Sequence, residues 1–402
     1  MKPRLLFVDD EKNILQGLRR LLRSMRNDWE MDFAEGGEMA LSMLAEQPAD
    51  VVVTDMKMPG MNGAELLDQV ATLYPGSLRL ILSGEADTEA TFRTVKTSHQ
   101  FLPKPSNSER LIETVKAGLA LREPLADATQ QTWVTSIACL AATRASFEEL
   151  GTLIETASAP MERVGDLFAG EPGLAAKVMQ LANSAYFGIG DPVCSPKDAV
   201  NLLGWEVLRR LLQDHDLTCV YAEGPCRDFY EQAILQARQV AELAGWIAEQ
   251  RQASANAIAE ARLAGLLHNL GRLLLCYQAP GDYAKVLERA SGDQSLDAAE
   301  IDHFGQPHSV FGAYLAQIWG LPANVVGAVG HLQHPGEARL PEDGQTVLLA
   351  SHSALAIVTG LQAEDPKAAT ADALDRTYLE QQNCAGEVEG WVDRWRGKEA
   401  AA

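Results

Sequence analysis

Long apolar runs, clustered cysteines and clustered positive charge are all scarce in this 402-residue chain. No uninterrupted hydrophobic stretch approaches the roughly 20 residues that a membrane helix needs, so a membrane-spanning protein is not expected. Met1-Lys2-Pro3-Arg4 leads straight into an apolar stretch of only four residues, so a cleavable leader is not expected either. The six cysteines, at positions 139, 194, 219, 226, 276 and 384, form no Cys-x-x-Cys pair and no repeated spacing. That argues against a disulfide frame or a zinc site and for reduced thiols in the cytoplasm. Lys and Arg number 34 against 55 Asp and Glu, a net charge of −21. A chain so acidic lacks the basic patch on which nucleic-acid binding relies. There is no Walker loop and no Gly-x-Gly-x-x-Gly after a strand, so phosphate is not held by a glycine cradle. With 47% hydrophobic and 22% charged residues the composition is globular, and the length exceeds one ordinary core.

The most informative stretch is Val51-Val52-Val53-Thr54-Asp55, followed by Met56-Lys57-Met58-Pro59-Gly60-Met61-Asn62-Gly63. Three β-branched residues make a short apolar strand of the kind found inside a parallel sheet. Pro59, Gly60 and Gly63 break the chain before a helix starting near Ala64. Asp55 therefore stands at the carboxyl end of a buried strand, where open α/β sheets place their ligands; the competing reading is a simple cap on the following turn. Leu5 to Val8, Met31 to Ala34, Leu78 to Leu82 and Gln100 to Leu102 read as four further strands. Helices are expected between them, one with a stripe of Ile14, Leu18, Leu21, Leu22 and Met25, one from about Thr88 to Lys96, and a last one from about Ser108 to Leu121. Five alternations of strand and helix imply a doubly wound, flavodoxin-like parallel sheet.

Asp9, Asp10, Asp55, Ser83 and Lys104 then fall together at strand ends. Crowded carboxylates repel one another unless a cation joins them, and Mg²⁺ prefers such oxygen donors. A lysine and a hydroxyl beside the metal suit a phosphoryl group, and a carboxylate can itself be the nucleophile that carries one. These residues, with Asp9-Asp10, the Met-Lys-Met-Pro-x-Met-x-Gly run after Asp55, Ser83-Gly84 and Lys104-Pro105, resemble a response-regulator receiver domain across residues 4 to 121. The resemblance implies that Asp55 accepts a phosphoryl group from a sensor histidine kinase. It implies that Asp10, Asp55 and the backbone carbonyl of Lys57 ligate Mg²⁺, with Asp9 acting through water, and that Ser83 and Lys104 bind the phosphoryl oxygens. Phe101, three residues before the lysine, matches the family's aromatic switch; the plainer reading is a core residue.

After Arg122-Glu123-Pro124 the pattern is helical, with almost no strand signal up to about residue 360. Six of the eight histidines, His268, His303, His308, His331, His334 and His352, lie in this half. A catalytic His-Asp metal site needs a carboxylate after its histidine, and Asn269 stands there instead, a much poorer ligand. Leu174 to Gly188, Ala199 to Trp205, Ala264 to Gly271 and Trp319 to Pro322 resemble an HDOD domain, over roughly residues 134 to 335. That family is related to HD phosphohydrolases, generally lacks their full metal set, and implies a regulatory output. On this resemblance Gln232 takes the early histidine position. Gln232, His268, Asn269, Glu300 and His308 are then a remnant pocket or a structural polar cluster, with no metal expected.

The reading is a receiver at residues 1–122, a linker at 123–133, an HDOD domain at 134–335 and a helical extension at 336–402 that packs back on it, with Trp391 and Trp395 docking on the core or, as the alternative, on a partner. Function is phosphorelay signalling, with Mg²⁺ in the receiver and a non-catalytic output that binds a downstream signalling protein, in cyclic-dinucleotide signalling by analogy. Homodimerisation is the other expected association; nucleic acid and membrane are not. The alternative is a metal-dependent HD-type phosphohydrolase of a cyclic dinucleotide.

Overall fold

A computed structural model describes residues 2–83, 94, 96–104, 108–125, 127–156, 159–183, 193–214, 219–221, 224–290, 295–361 and 366–399. The first part of the chain forms one parallel sheet of five strands in the order β2-β1-β3-β4-β5. They are β1 (Arg4–Val8), β2 (Glu30–Ala34), β3 (Val51–Asp55), β4 (Leu78–Ser83) and β5 (Gln100–Pro103). Helices α1 (Lys12–Leu21), α2 (Gly37–Glu46), α3 (Gly63–Leu73) and α4 (Ser108–Arg122) alternate with them. The helix expected from Thr88 to Lys96 lies largely outside the described residues.

The apolar runs behave as a doubly covered sheet requires. Leu5, Phe7, Val51 and Val53 belong to the core on one face, while Leu6, Val8, Val52 and Ile81 pack with α2 and α3 on the other. The stripe expected on α1 is shifted. The helix stops at Leu21 and a 3₁₀ turn covers Arg23–Asn27. Leu15 is buried with Leu18, Leu22 and Met25, whereas Leu21 is exposed.

The loop after β3 is set by two devices. Asn62 caps α3 in a reciprocal box, its side chain accepting from Glu65 N at 3.0 Å while Glu65 accepts from Asn62 N at 3.1 Å. A Cβ at Gly63 would lie 2.1 Å from the Asp55 carbonyl oxygen, so only glycine lets α3 start this close to the strand end.

Among the described residues the remainder is helices and connecting loops apart from one pair of two-residue parallel strands, β6 (Ala141–Ala142) and β7 (Cys219–Val220), too short to leave a sequence pattern. The helices are α5 (Ala128–Ser136), α6 (Arg144–Ile154), α7 (Met161–Gly170), α8 (Pro172–Ala182), α9 (Pro196–Leu203), α10 (Trp205–Asp214), α11 (Arg227–Gln250), α12 (Ala255–Leu267), α13 (Leu270–Gln278) and α14 (Pro280–Ala290). They continue as α15 (Leu296–Phe304), α16 (His308–Ile318), α17 (Ala323–His331), α18 (Glu342–Gly360), α19 (Pro366–Ala373), α20 (Arg376–Gln381) and α21 (Val388–Glu399). Pro172 and Pro196 open their helices, and Ser195, Ser254 and Ser295 cap theirs, as the physics of an unsatisfied first turn favours.

A bundle of α11, α12 and α18 forms the centre of this half, and α16 packs against both α4 and α5. One apolar cluster runs from Leu5, Phe7 and Leu80 through Leu125 and Val134 to Trp319 and Val347, so the sheet and the bundle share a core. No helix among the described residues is long and apolar enough to cross a membrane.

At the far end Trp391 and Trp395 are 4% and 3% exposed, and the Trp395 ring lies 6.5 Å from that of Trp246 on α11. Removing a buried ring of this size costs about 3–5 kcal/mol. Trp395→Ala is therefore expected to lower the stability of the chain by that amount in chemical denaturation and to release α21 to fast amide exchange.

Candidate functional site

The ends of β1, β3, β4 and β5 form the first polar centre. The register Val8↔Thr54 and Asp55↔Leu82 brings Asp9 and Asp55 to the same edge of the sheet, and Ser83 is paired with Pro103 one residue before Lys104. Lys104 Nζ donates to Asp9 Oδ2 and lies 2.7 Å from Asp55 Oδ1 as well, so one ammonium joins carboxylates from two strands. Burial works against the Lys104 charge, but the bonds to Asp55 and Asp9 outweigh it and raise its pKa. Asp9 is 1% exposed and also accepts from Glu11 N at 2.9 Å, whereas Asp10 is exposed. Asp55 Oδ2 accepts from Lys57 N at 3.2 Å, which turns the Lys57 peptide around the carboxylate.

The structure thus brings together Asp9, Asp55, Lys57 and Lys104, with Asp10 at their solvent side. Ser83 ends β4 at this edge; its side chain lies outside the description. Phe101 is 4% exposed and packs with Val52, Ile81 and the α2/α3 side of the sheet. The donors here are oxygens on an open edge, a set that fits a hard divalent cation keeping part of its water shell.

The second polar centre lies among α13, α15 and α16. Glu300, wholly buried, accepts from Tyr283 Oη at 2.6 Å, from His308 N at 2.9 Å and from His308 Nδ1 at 2.7 Å. Arg272 reaches Asp297 Oδ1 at 2.9 Å, Glu300 Oε1 at 3.5 Å and Asn269 Oδ1 at 3.2 Å. Gly271 makes this approach possible, since a Cβ there would lie 1.9 Å from the His308 carbonyl oxygen. Ligating atoms of Asp297, Glu300 and His308 lie within 4.8 Å of one another, a grouping close enough for a metal ion. The Arg272 guanidinium already supplies the positive charge there and fixes Asn269 through its amide oxygen.

Asn269, in turn, donates to Ala233 O at 3.3 Å and to Gln236 Oε1 at 3.4 Å. Gln232, expected in this pocket, sits on the exposed face of α11; Gln236, one turn later, is the glutamine that reaches Asn269. The offset is one helical turn, which spacing alone does not resolve. His268 is buried and its Nδ1 pairs with Gly265 O at 2.7 Å, while the Nε2 atoms of His268 and His308 are buried without a hydrogen-bond partner among the described residues. Arg272, Asp297 and Tyr283 were not singled out from sequence. An acidic residue one turn before Glu300 on the same helix face was the available signal for Asp297.

Burial disfavours the Glu300 carboxylate, yet His308 and Arg272 hold its pKa down to about 2, and His308 is raised despite its burial by Glu300 and Asp297. His268 goes the other way, burial pushing it down to about 3. Stability supplied by Glu300 is present above its ordinary value of 4.5 and is lost as pH falls from there toward 2, and neutral burial of His268 adds a loss that begins below 6.5. His308 contributes fully below 6.5 and loses its contribution above its raised value. Without Glu300, His308 and Arg272 keep Asp297 nearby but lose their buried carboxylate, a loss that costs up to about 3–5 kcal/mol. Glu300→Gln is expected to destabilise the chain by that amount in urea titrations at pH 7, with a smaller loss at pH 3 where the carboxylate's advantage is already fading.

The sequence matches the model of the response regulator receiver domain over residues 5–116 and that of the HDOD domain over residues 140–335. Over 113 residues the chain is 32% identical to the hydrogenase transcriptional regulatory protein HoxA of Cupriavidus necator, covering 28% of this chain and 23% of that protein. It is 29% identical over 127 residues to the response regulator protein PilR of Pseudomonas aeruginosa, covering 31% of this chain and 28% of that protein. The chain spans only about a quarter to a third of the length of the first curated relatives it matches. Among solved structures, the MmoQ response regulator of Methylococcus capsulatus is 24% identical, with a TM-score of 0.46 over 58% of this chain and 93% of that one.

Proposed function

The chain belongs to the response regulators in which a receiver domain precedes an HDOD domain, and from that premise we propose that Asp55 is the phosphoacceptor and the helical half its non-catalytic reader. The observation that carries the reading is Lys104 held 2.7 Å from both Asp9 and Asp55 at an open sheet edge. An Asp55 carboxylate oxygen attacks the phosphorus of a phosphohistidine on a sensor kinase, the P–N bond breaks, and the electron pair returns to the imidazole. Lys104 then exchanges a carboxylate for a phosphoryl oxygen, and Ser83 donates to another. Asp10, Asp55 and the Lys57 carbonyl would hold Mg²⁺, with Asp9 acting through water; when bound, the ion supplies charge neutralisation for the transferring group. Phe101 follows these shifts from beneath. The domain limits that fit this division are residues 1–122, a linker to 133, an output to 335 and the extension that follows.

In the output half the same reasoning favours protein binding over hydrolysis. Asn269 offers an amide where a metal site needs a carboxylate, and Arg272 stands among Asp297, Glu300 and His308 as a built-in cation. The partner is a downstream signalling protein, with enzymes of cyclic-dinucleotide turnover as the analogy, and a cytoplasmic setting follows from the sensor-kinase chemistry. A homodimer is a second way for the changed surface to act.

The direct test is the intact mass of the chain after incubation with acetyl phosphate and Mg²⁺. The expected result is the gain of one phosphoryl group, lost in Asp55→Asn and on chelation of the metal. An unchanged mass in the native chain contradicts the reading.

A further inference from the structure

Arg79 is the second residue of β4, flanked by Leu78 and Leu80, and its side chain is 2% exposed. Its guanidinium meets carbonyl oxygens, Thr97 O at 2.5 Å, Ser77 O at 3.0 Å, Pro75 O at 3.3 Å and Thr135 O at 2.6 Å. None of these is a carboxylate, so the charge has not been placed there for an ion pair. His99 is buried beside it. Its Nδ1 accepts from Arg79 N at 2.9 Å, which leaves Nε2 to donate to Thr135 O at 2.9 Å. Arg79 and His99 thus converge on a single carbonyl in the last turn of α5, one of the four that a helix leaves without an internal partner. From the other side Thr135 Oγ1 donates to Pro75 O at 2.7 Å.

The next residues are gripped by the helical half as well. Gln180 on α8 donates to His99 O at 2.9 Å and Ser98 O at 3.3 Å. Gln100 donates to Gln317 O at 2.6 Å, in the last turn of α16, and Gly320 packs on the Gln100 side chain. The start of β5 is therefore held at α5 through the His99 ring, at α8 through the Ser98 and His99 carbonyls, and at α16 through the Gln100 side chain. β5 then runs only from Gln100 to Pro103 before reaching Lys104, a span of about 13 Å at strand geometry. β4 makes the same crossing from Arg79 to Ser83. Both strands have one end in the carboxylate pocket and the other in this seam.

We propose that Arg79, His99, Gln100 and Gln180 are positioning residues that couple the Asp55 pocket to the helical half, and that the closed seam holds the state in which Lys104 is paired with Asp9 and Asp55. This rests on the reading of Asp55 as phosphoacceptor. Binding of a phosphoryl group asks Lys104 to leave a carboxylate, and the tethered start of β5 resists that movement. Reciprocity then requires occupancy of the pocket to loosen the grip of α5, α8 and α16 on residues 97–100. Among the described residues, Lys177, buried on α8 over the Trp319 ring, Lys96, Cys139 and Tyr314 are further titratable groups facing this seam.

The test measures the affinity of the full chain for beryllofluoride with Mg²⁺, by ¹⁹F NMR, in the native protein, Gln180→Leu and Gln100→Ala. Gln100 is only half-buried, so that variant guards against a folding defect at Gln180; Gln239→Ala, on the exposed face of α11, is the control. Removing a seam contact is expected to tighten binding at least about fivefold, the lower end of ordinary coupling between sites, with the control unchanged. A purely structural role would not alter affinity for a ligand at the opposite strand ends. Equal or weaker binding by both seam variants overturns the coupling while leaving Asp55 as phosphoacceptor. Absence of binding to the native chain overturns both.

Discussion

A single apolar core that passes from the parallel sheet into the helical bundle is the constraint from which most of the architecture follows. Leu5, Phe7, Val51 and Val53 face the side of the sheet that continues through Val134 and Trp319, while Leu6, Val8 and Val52 face α2 and α3 in a cluster of their own. One face of the sheet is thereby committed to the rest of the chain. Donors that cross the shared face find partners there: Arg79, His99, Gln180 and Gln100 each spend theirs on carbonyls at helix ends or strand entries, while Gln180 Oε1 and Thr97 Oγ1 are buried without a hydrogen-bond partner among the described residues. The polar seam is a consequence of burying a sheet edge, and its specificity lies in which carbonyls it satisfies.

The two charged centres are built on opposite principles. At the strand ends, Lys104 bridges Asp9 and Asp55 beside the exposed Asp10, so a phosphoryl oxygen arriving from solvent can take the place of one of the two carboxylates. Among α13, α14, α15 and α16, Glu300, His308 and Tyr283 are buried and bonded to one another, with Arg272 beside them, so a rearrangement strands a charge out of water. An exchangeable pairing suits a switch and a locked one suits a brace. The brace fixes the start of α16, whose far end meets Gln100 and whose flank packs on α4.

Much of the first half was legible in sequence because β1, β3 and β4 are short, largely aliphatic or β-branched runs that end at a polar residue, whereas β2 and β5 carry a weaker pattern. Asp9, Asp55, Lys57 and Lys104 do converge. The stripe on α1 was misphased because the neighbouring apolar pairs Ile14-Leu15 and Leu21-Leu22 offer two overlapping helical faces, and the structure buries Leu15 and Leu22. In the helical half the element limits were readable from prolines and serine caps, but the polar cluster was only half found. Glu300 and His308 stood out as residue types, while Arg272 and Asp297 looked like ordinary helix-surface charges, and Gln232, expected in the pocket, is exposed while Gln236 one turn on meets Asn269. Arg79 was hidden for the opposite reason: a cation inside an apolar strand has no local signature, and its partners at Thr97 and Thr135 become visible only once the chain has folded back.

The central claim is that a phosphoryl group on Asp55 is felt in the helical half. Amide hydrogen exchange of the full chain, with and without acetyl phosphate and Mg²⁺, addresses it most directly. The account predicts faster exchange in α5 and in the last turn of α16 when Asp55 is phosphorylated. Changes confined to the strand ends and loops of the first 104 residues, with α5, α8 and α16 unaltered, would contradict it.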